Sequence, residues 1–284
     1  MTVQQITGWF FLACAILYAV YMIKDILSDR VSFRSQPGDL KKTLIAELIV
    51  YILATIGISD FVMNTIVIKR MKLAEQDTMP DSMITAGIVP GSMIGVMFLM
   101  RAGKVDSIMI IIMLVGLMIG SYVGSKAVGL MDGKTIRNAM VALLTVLLIV
   151  LIVKNQLAGE PGDLTELRGG KMVILIIVTL LLGFINMLGI PTKPFFTTIF
   201  LMLGLSPITT LALLLGTIPI SVITGGINVV RRKRYNKKLA LSAMTTGTIG
   251  AIIGCSLAIT IEQNVLNIIL IIVVMTAIVS LVKK

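Results

Sequence analysis

Long runs without a charged side chain alternate with short polar joints along this chain. The window 43–68 is interrupted only by Glu47 and Asp60. A helix needs about 20 apolar residues to cross a bilayer, and Gly204–Pro207 splits the longest window, so the pattern predicts about nine apolar helical segments. The uncharged windows are 1–23, 82–100, 107–125, 138–153, 172–192, 194–230, 239–261 and 263–282.

The same pattern argues against other fold classes. The runs do not alternate in polarity as the strands of a membrane barrel do, and no joint is long enough for a soluble domain. Hydrophobic residues make up 57% of the chain and charged residues 14%, against about 25% charged in soluble domains. We therefore expect an all-α fold, a polytopic membrane helix bundle that crosses the cytoplasmic membrane of the cell several times.

The residue types that are missing limit the chemistry. The chain has no histidine, no G-x-x-x-x-G-K-[ST] motif and only two cysteines, Cys14 and Cys255, far apart in apolar runs. We expect no enzyme, no cofactor and no metal site. The net charge of +11 lies in the joints, as membrane topology requires, so no nucleic acid is expected as a partner and the basic run Arg231–Lys238 is placed in the cytoplasm.

An internal duplication is predicted from three matches in nearly one register. Gly87–Ser92 is similar to Gly216–Ser221, 129 residues later, and Gly120–Ser125 is similar to Gly250–Cys255 at an offset of 130. Asp132 corresponds to Glu262 at the same offset of 130. The predicted organisation is an additional N-terminal transmembrane helix with a cytoplasmic joint at 1–42, a first repeat at 43–153, a linker at 154–171 and a second repeat at 172–284.

Each predicted repeat opens with an interrupted apolar segment. In the second repeat Leu182–Phe196 contains Gly189 and two prolines that flank Lys193, and in the first repeat Thr55–Phe61 takes the corresponding place. Paired interruptions of this kind indicate a transporter binding site at the bilayer midplane. If each segment crosses, the repeats are parallel; if each dips in and returns as a re-entrant segment, they are inverted. The sequence leaves both open.

Lys193 is the strongest candidate for binding a substrate. It is the only charged residue between 172 and 230, and an ionisable group in the membrane needs a carboxylate partner or an anionic substrate to offset its insertion cost. The alternative is a lysine that reaches the membrane interface. Asp60 has three open roles: ion partner of Lys193, proton carrier or cation ligand. For Glu47 we expect a position at the interface or the start of a helix.

Uncharged groups at the two interruptions complete the predicted substrate-binding set. The N-terminus of a half-helix offers backbone N–H groups and a partial positive charge to an anion. The residues assigned to substrate binding are Lys193, Thr192, Thr197, Asn186, Asp60, Asn64, Gly57 and Gly189.

In these features the chain resembles the TauE/SafE-type sulfite exporter family. The likeness runs through Leu182–Phe196, Leu203–Pro207 and Gly250–Gly254, and extends over nearly all of 43–284. The family has a glycine cluster of the type G-I-G-G-G in each interrupted segment, where this chain has Gly189–Lys193 and Gly57–Asp60. The resemblance implies a permease for small sulfur-containing or organic anions.

The function predicted from the sequence is therefore a secondary transporter. Its expected partners are a small anion of the sulfite, thiosulfate, sulfonate or carboxylate type, a coupling proton or sodium ion, and the lipid bilayer. An anion channel and a non-transporting scaffold subunit are the alternatives, and the formation of a homo-oligomer stays open.

Overall fold

The computed structural model describes residues 2–55, 58–101, 105–157, 162–257, 275–276, 278–279 and 281–282. In these ranges the secondary structure is helical, apart from one isolated bridge between Leu164 and Leu205, so the predicted all-α fold is confirmed. The helices are α1 (Val3–Ser28), α2 (Arg30–Ser35), α3 (Leu40–Thr55), α4 (Asp60–Met71), α5 (Met79–Arg101), α6 (Ser107–Leu130), α7 (Gly133–Leu157), α8 (Gly170–Asn186), α9 (Lys193–Met202), α10 (Pro207–Thr217), α11 (Pro219–Arg232), α12 (Lys237–Ser242) and, after a π-helical turn at Ala243–Gly247, α13 (Thr248–Leu257).

Several helices have the length and surface of membrane-spanning segments. Large apolar side chains such as Leu17 of α1, Ile119 of α6 and Ile177 of α8 are exposed, which is the arrangement expected where lipid replaces water. Among the described residues, five stretches are long and apolar enough to cross a membrane: Val3–Ser28, Met79–Met100, Ser107–Leu130, Ala212–Arg232 and Lys237–Ser256.

Outside these five stretches, four helices that are each too short to cross on their own form two consecutive pairs. At about 1.5 Å per residue, α3 and α8 are roughly 24 to 26 Å long, and α4 and α9 are roughly 15 to 18 Å long. The hydrocarbon core of a bilayer is about 30 Å thick. We call α3 with α4 the first hairpin and α8 with α9 the second hairpin.

The base of the first hairpin is joined by the side chain of Asn236. Its Nδ2 atom donates to the carbonyl oxygen of Pro37, before α3, at 3.1 Å and to that of Leu73, after α4, at 2.7 Å. The chain therefore returns after α4 to the end from which α3 starts.

The base of the second hairpin is joined in a similar way at its own end. The ammonium group of Lys171, in the first turn of α8, donates to the carbonyl oxygen of Leu203, just after α9, at 2.8 Å. Leu164, before α8, exchanges backbone hydrogen bonds with the segment that follows α9, at Gly204 and Ser206. The second hairpin therefore also begins and ends on one side.

Glycines allow each hairpin to pack closely against a helix from the other half of the chain. A Cβ added to Gly120 of α6 would lie 2.1 Å from the carbonyl oxygen of Leu180 in α8. A Cβ added to Gly250 of α13 would lie 2.4 Å from the carbonyl oxygen of Leu48 in α3. Close approach through small residues is how helices associate in lipid, where burial of apolar surface gives little drive.

The division of the chain into two repeats remains a prediction from the sequence. The window 239–261 contains α12, the π-helical turn and α13, and most of the window 263–282 lies outside the described residues. The duplication, its boundaries and the re-entry of the hairpins into a membrane stay predictions.

Candidate functional site

The first residues of α4 and α9 form the centre of the candidate site. Asp60 begins α4 after the N-cap residue Ser59, and Lys193 begins α9 after the N-cap residue Thr192. Neither N-cap side chain accepts a hydrogen bond from the turn that follows, whereas Asp106 accepts two such bonds at the start of α6. The first N–H groups of α4 and α9 are therefore without the side-chain acceptor that usually caps a helix.

The break before α9 follows from its local sequence. Gly189 has a φ of +74°, a left-handed conformation that residues with a side chain rarely adopt. Pro191 lies in the non-helical stretch, and Pro194 occupies the first turn of α9, where its missing N–H costs nothing. A glycine turn followed by a proline start ends one helix and begins the next within a few residues.

The two helix starts bring opposite charges together. The ammonium nitrogen of Lys193 lies 3.9 Å from Oδ1 of Asp60, at the outer limit of an ion pair. The side chains are 25% and 17% exposed, so both remain accessible to water. The ion-pair role considered for Asp60 agrees with this contact, while substrate binding by either residue stays a prediction.

A small cavity lies between the two helix starts. Its total volume is about 520 Å³, part of which is open to the outside. The volume available to the centre of a water-sized sphere is much smaller, about 40 Å³. This smaller figure describes the room for a ligand and corresponds to about three water positions. The cavity is lined by Ser59, Asp60, Phe61, Gly87, Gly91, Ile94, Asn186, Pro191, Thr192, Lys193, Leu215, Ile218, Pro219 and Val222.

Asn186 holds the break between α8 and α9 in place. Its Nδ2 donates to Oγ of Ser221 at 2.5 Å, and its Oδ1 accepts from Oγ1 of Thr192 at 3.3 Å. All three residues are buried. A buried network with its members paired gives a local structure a single geometry.

The structure brings some of the other predicted residues to the cavity and leaves others away from it. Thr197 lies one turn into α9, donates to the carbonyl oxygen of Lys193 at 2.9 Å and does not line the cavity. Gly189 lies behind the cavity, against Met83. Asn64 is fully buried in α4 and does not line the cavity either. Gly57 lies outside the described residues.

The position expected for Glu47 at the start of a helix is wrong, while its depth in the membrane stays a prediction. Glu47 is 0% exposed, in the middle of α3, and so are Tyr51 one turn later and Asn64 in α4. Neither oxygen of Glu47, nor the hydroxyl of Tyr51, nor either polar atom of Asn64 has a hydrogen-bond partner in the part of the chain that the structure describes. Glu47 and Tyr51 are four residues apart, and so are Asp60 and Asn64. This spacing puts each pair on one helix face, and it is the sequence signal that indicates the cluster.

The basic run Arg231–Lys238 is largely paired with acidic groups. Arg232 binds the buried carboxylate of Asp81 through two nitrogens, at 2.5 and 3.1 Å. Lys237 is buried between Asp25, at 3.3 Å, and Asp29, at 3.0 Å, and its hydrogen bond holds the pKa of Asp29 below its ordinary value. The basic run could be recognised in the sequence, but its acidic partners could not, because they lie more than 150 residues away.

Comparison with known proteins decides the family. The model for the sulfite exporter family TauE/SafE matches residues 81–281, which include the second hairpin. The chain belongs to the TauE/SafE family. Membership makes it an integral membrane protein and indicates a membrane transporter for anions such as sulfite, not an enzyme. The first hairpin precedes the matched residues of this TauE/SafE protein, and no curated protein or solved structure matches the chain.

Proposed function

We propose that this TauE/SafE protein is a secondary transporter in the cell membrane that binds a small anion between the starts of α4 and α9. The anion is of the sulfite, thiosulfate, sulfonate or carboxylate type. The observation that carries the proposal is the pair of helix starts without side-chain caps that lie on either side of one cavity.

The charges at the cavity favour an anion. Lys193 and Asp60 cancel each other formally, and each helix N-terminus adds about half a positive elementary charge. The cavity therefore has a surplus of about one positive charge. An anion placed there gains the backbone N–H groups of both helices and the ammonium group of Lys193.

The room in the cavity limits the size of the anion. A space of about 40 Å³ for the centre of a water-sized sphere suits a ligand of a few heavy atoms, such as sulfite or thiosulfate. Drug-sized ligands occupy pockets of about 300 to 1,000 Å³. A larger sulfonate would require the hairpins to separate.

We propose further that both hairpins are re-entrant, that they enter from opposite faces of the membrane, and that the repeats are inverted. The base of the first hairpin is bonded to Asn236, within the basic run, and Arg232 ties the end of α6 to the same side through the carbonyl oxygen of Ser125. Following α7 along its length then leads to the opposite side, where α8 begins. Three crossings per repeat give inverted repeats.

Thiol labelling tests this arrangement. Arg231 and Arg168 are both exposed, the first at the start of the basic run and the second before α8. In a background without Cys14 and Cys255, we expect Arg168→Cys to react with an impermeant reagent outside intact cells and Arg231→Cys to react only after permeabilisation. Asn236 is unsuitable because it is buried. Labelling of both positions from the same side would contradict the inverted arrangement.

Flux measurements test the function itself. Proteoliposomes that contain the wild-type protein should take up radiolabelled sulfite or thiosulfate, and uptake should saturate with concentration. Lys193→Ala should abolish or greatly weaken uptake, whereas Lys126→Ala, at an exposed lysine stacked on Tyr122, should leave it unchanged. Flux that does not saturate would favour the channel alternative. Undiminished flux in Lys193→Ala would contradict the proposed site, and absence of any anion flux would favour a scaffold subunit.

A further inference from the structure

A buried group of polar side chains lies beside the anion cavity, between α3 and α4. Glu47, Tyr51 and Asn64 are each 0% exposed, and their five side-chain oxygen and nitrogen atoms have no hydrogen-bond partner among the described residues. Asn64 lies close enough to Glu47 to interact with its carboxylate, although the two side chains are not placed for a well-formed hydrogen bond. A buried carboxylate in this situation bears the full cost of losing its water, unless it is neutralised.

Gly87 connects this group with the cavity. The Tyr51 hydroxyl and Oδ2 of Asp60 both lie 3.9 Å from the point where a Cβ of Gly87 would stand, and Gly87 itself lines the cavity. The other oxygen of Asp60 faces Lys193 at 3.9 Å. The buried group that contains Glu47 therefore reaches the cavity wall at Gly87, where the Tyr51 hydroxyl and the Asp60 carboxylate lie close to the same point.

In the described part of the chain, no cation on the neighbouring helices pairs with Glu47, and the two cations of α4, Lys69 and Arg70, lie in its last turn. Helix α4 brings Asp60, and α5 brings Asp81, which is bound to Arg232. The π-helical turn carries no ionisable residue, and α13 carries only the thiol of Cys255.

The two lysines of α12 are already engaged. Lys237 is held by Asp25 and Asp29, and Lys238 by the carbonyl oxygens of Gln36 and Gly38. Among the described residues, the charged side chain whose field acts on Glu47 is thus another acid, Asp60.

We propose that Glu47, together with Tyr51 and Asn64, forms a proton-binding site that couples anion transport to a pH gradient. Glu47 takes up one proton from water on a carboxylate oxygen, becomes neutral while buried, and returns the proton to water when the hairpins separate. A proton needs no further ligands. A sodium ion would need carbonyl oxygens from unwound backbone, and α3 is continuous around Glu47.

The inference rests on the proposed transport function but can be tested without it. Infrared difference spectra of the protein in lipid should show the C=O stretch of a protonated carboxylic acid at neutral pH. The band should disappear in Glu47→Gln, an isosteric change, and should persist in the matched control Glu75→Gln, at an exposed acid. An unchanged spectrum in Glu47→Gln would overturn the proposal. Loss of the wild-type band on adding sodium at constant pH would overturn it in favour of a sodium site.

A transport assay then tests coupling. Thiosulfate keeps its charge over the neutral pH range, so its own protonation does not contribute to the result. In Glu47→Gln we expect thiosulfate accumulation driven by a pH gradient to fall by about tenfold or more, while exchange of labelled for unlabelled thiosulfate stays within about twofold. Exchange that persists shows a folded anion site, so pH-driven accumulation equal to wild type would refute coupling through Glu47 alone. Failure of exchange in the wild type would instead refute the proposed transport function.

Discussion

Each hairpin tip has a buried asparagine beside it, and the two asparagines differ in their partners. Asn186, at the end of α8, donates to Ser221 and accepts from Thr192. Asn64, one turn into α4, has no partner for either polar atom in the region that the structure describes, and the same holds for the carboxylate of Glu47 nearby.

This difference indicates that the two hairpins have different roles. The second tip is fixed by hydrogen bonds, a left-handed glycine and two prolines, which suits a rigid platform for a ligand. The first hairpin is held mainly by apolar packing and leaves polar groups unpaired at its centre. Unpaired buried groups are the places where binding a proton or an ion changes the free energy most.

The largest expected effect is a difference in anion flux between variants of the two charged residues at the cavity, Lys193 and Asp60. Lys193→Ala should lower anion flux by roughly tenfold to a hundredfold, because a hydrogen bond to a charged group contributes about 1.5 to 3 kcal/mol. Asp60→Asn should leave anion binding at least as strong, since Lys193 then has no competing partner. Concentration-dependent exchange in proteoliposomes measures both. Equal losses in the two variants would mean that the charges act only as a structural pair.

The next effect compares the two asparagines directly. Asn186→Leu should lower the free energy of unfolding by about 1 to 3 kcal/mol, because the buried Thr192 hydroxyl loses its acceptor, while Ser221 keeps its hydrogen bond to the carbonyl oxygen of Ile218. Asn64→Leu removes atoms that have no partner, so thermal stability should stay the same or rise. Thermal unfolding in detergent provides the test. A similar fall in the melting temperature of both variants would contradict the proposed difference between the tips.

Two glycines near the cavity should respond differently to an added methyl group. Gly189→Ala forces a side chain into a left-handed conformation, at a cost of about 1 to 2 kcal/mol, and places Cβ 2.6 Å from Sδ of Met83. Gly87→Ala meets only contacts of 3.8 Å or more, so the protein should fold normally, with a narrower cavity and a raised KM. Melting temperature and KM together check this, and a normal melting temperature for Gly189→Ala would contradict it.

The smallest expected effect distinguishes two threonines on either side of the start of α9. Thr192→Val removes a hydroxyl that lines the cavity and donates to Asn186, so flux should fall by about twofold to tenfold. Thr197→Val removes a hydroxyl that binds only its own helix backbone, and flux should change by less than about twofold. A larger loss in Thr197→Val than in Thr192→Val would place the anion further along α9 than the cavity does.

The helical class and the interruption before α9 could be predicted because their causes are local. Uncharged windows of sufficient length require helices in lipid, and Gly189 with the flanking prolines requires a break, whatever the rest of the chain does. Lys193 could be predicted as a candidate site residue for the same reason, because a single charge in a long apolar run needs a partner or a ligand in any fold.

The burial of Glu47 could not be predicted because it depends on distant residues. In the sequence Glu47 follows a polar joint and looks like a residue near a helix end. It is buried because α13 and α12, from the other end of the chain, pack on α3. The partner of Arg232 was missed for a similar reason, since Asp81 is 151 residues away and no local pattern connects them.

The packing of α13, from the second half of the chain, on α3, from the first half, affects the order in which the fold can form. Helix α3, with Glu47 on it, is synthesised well before α13, which packs on it through Gly250 and begins about 190 residues after α3 ends. The first hairpin is therefore made long before the helix that covers it. The packing around Glu47 can be completed only after α13 has been synthesised.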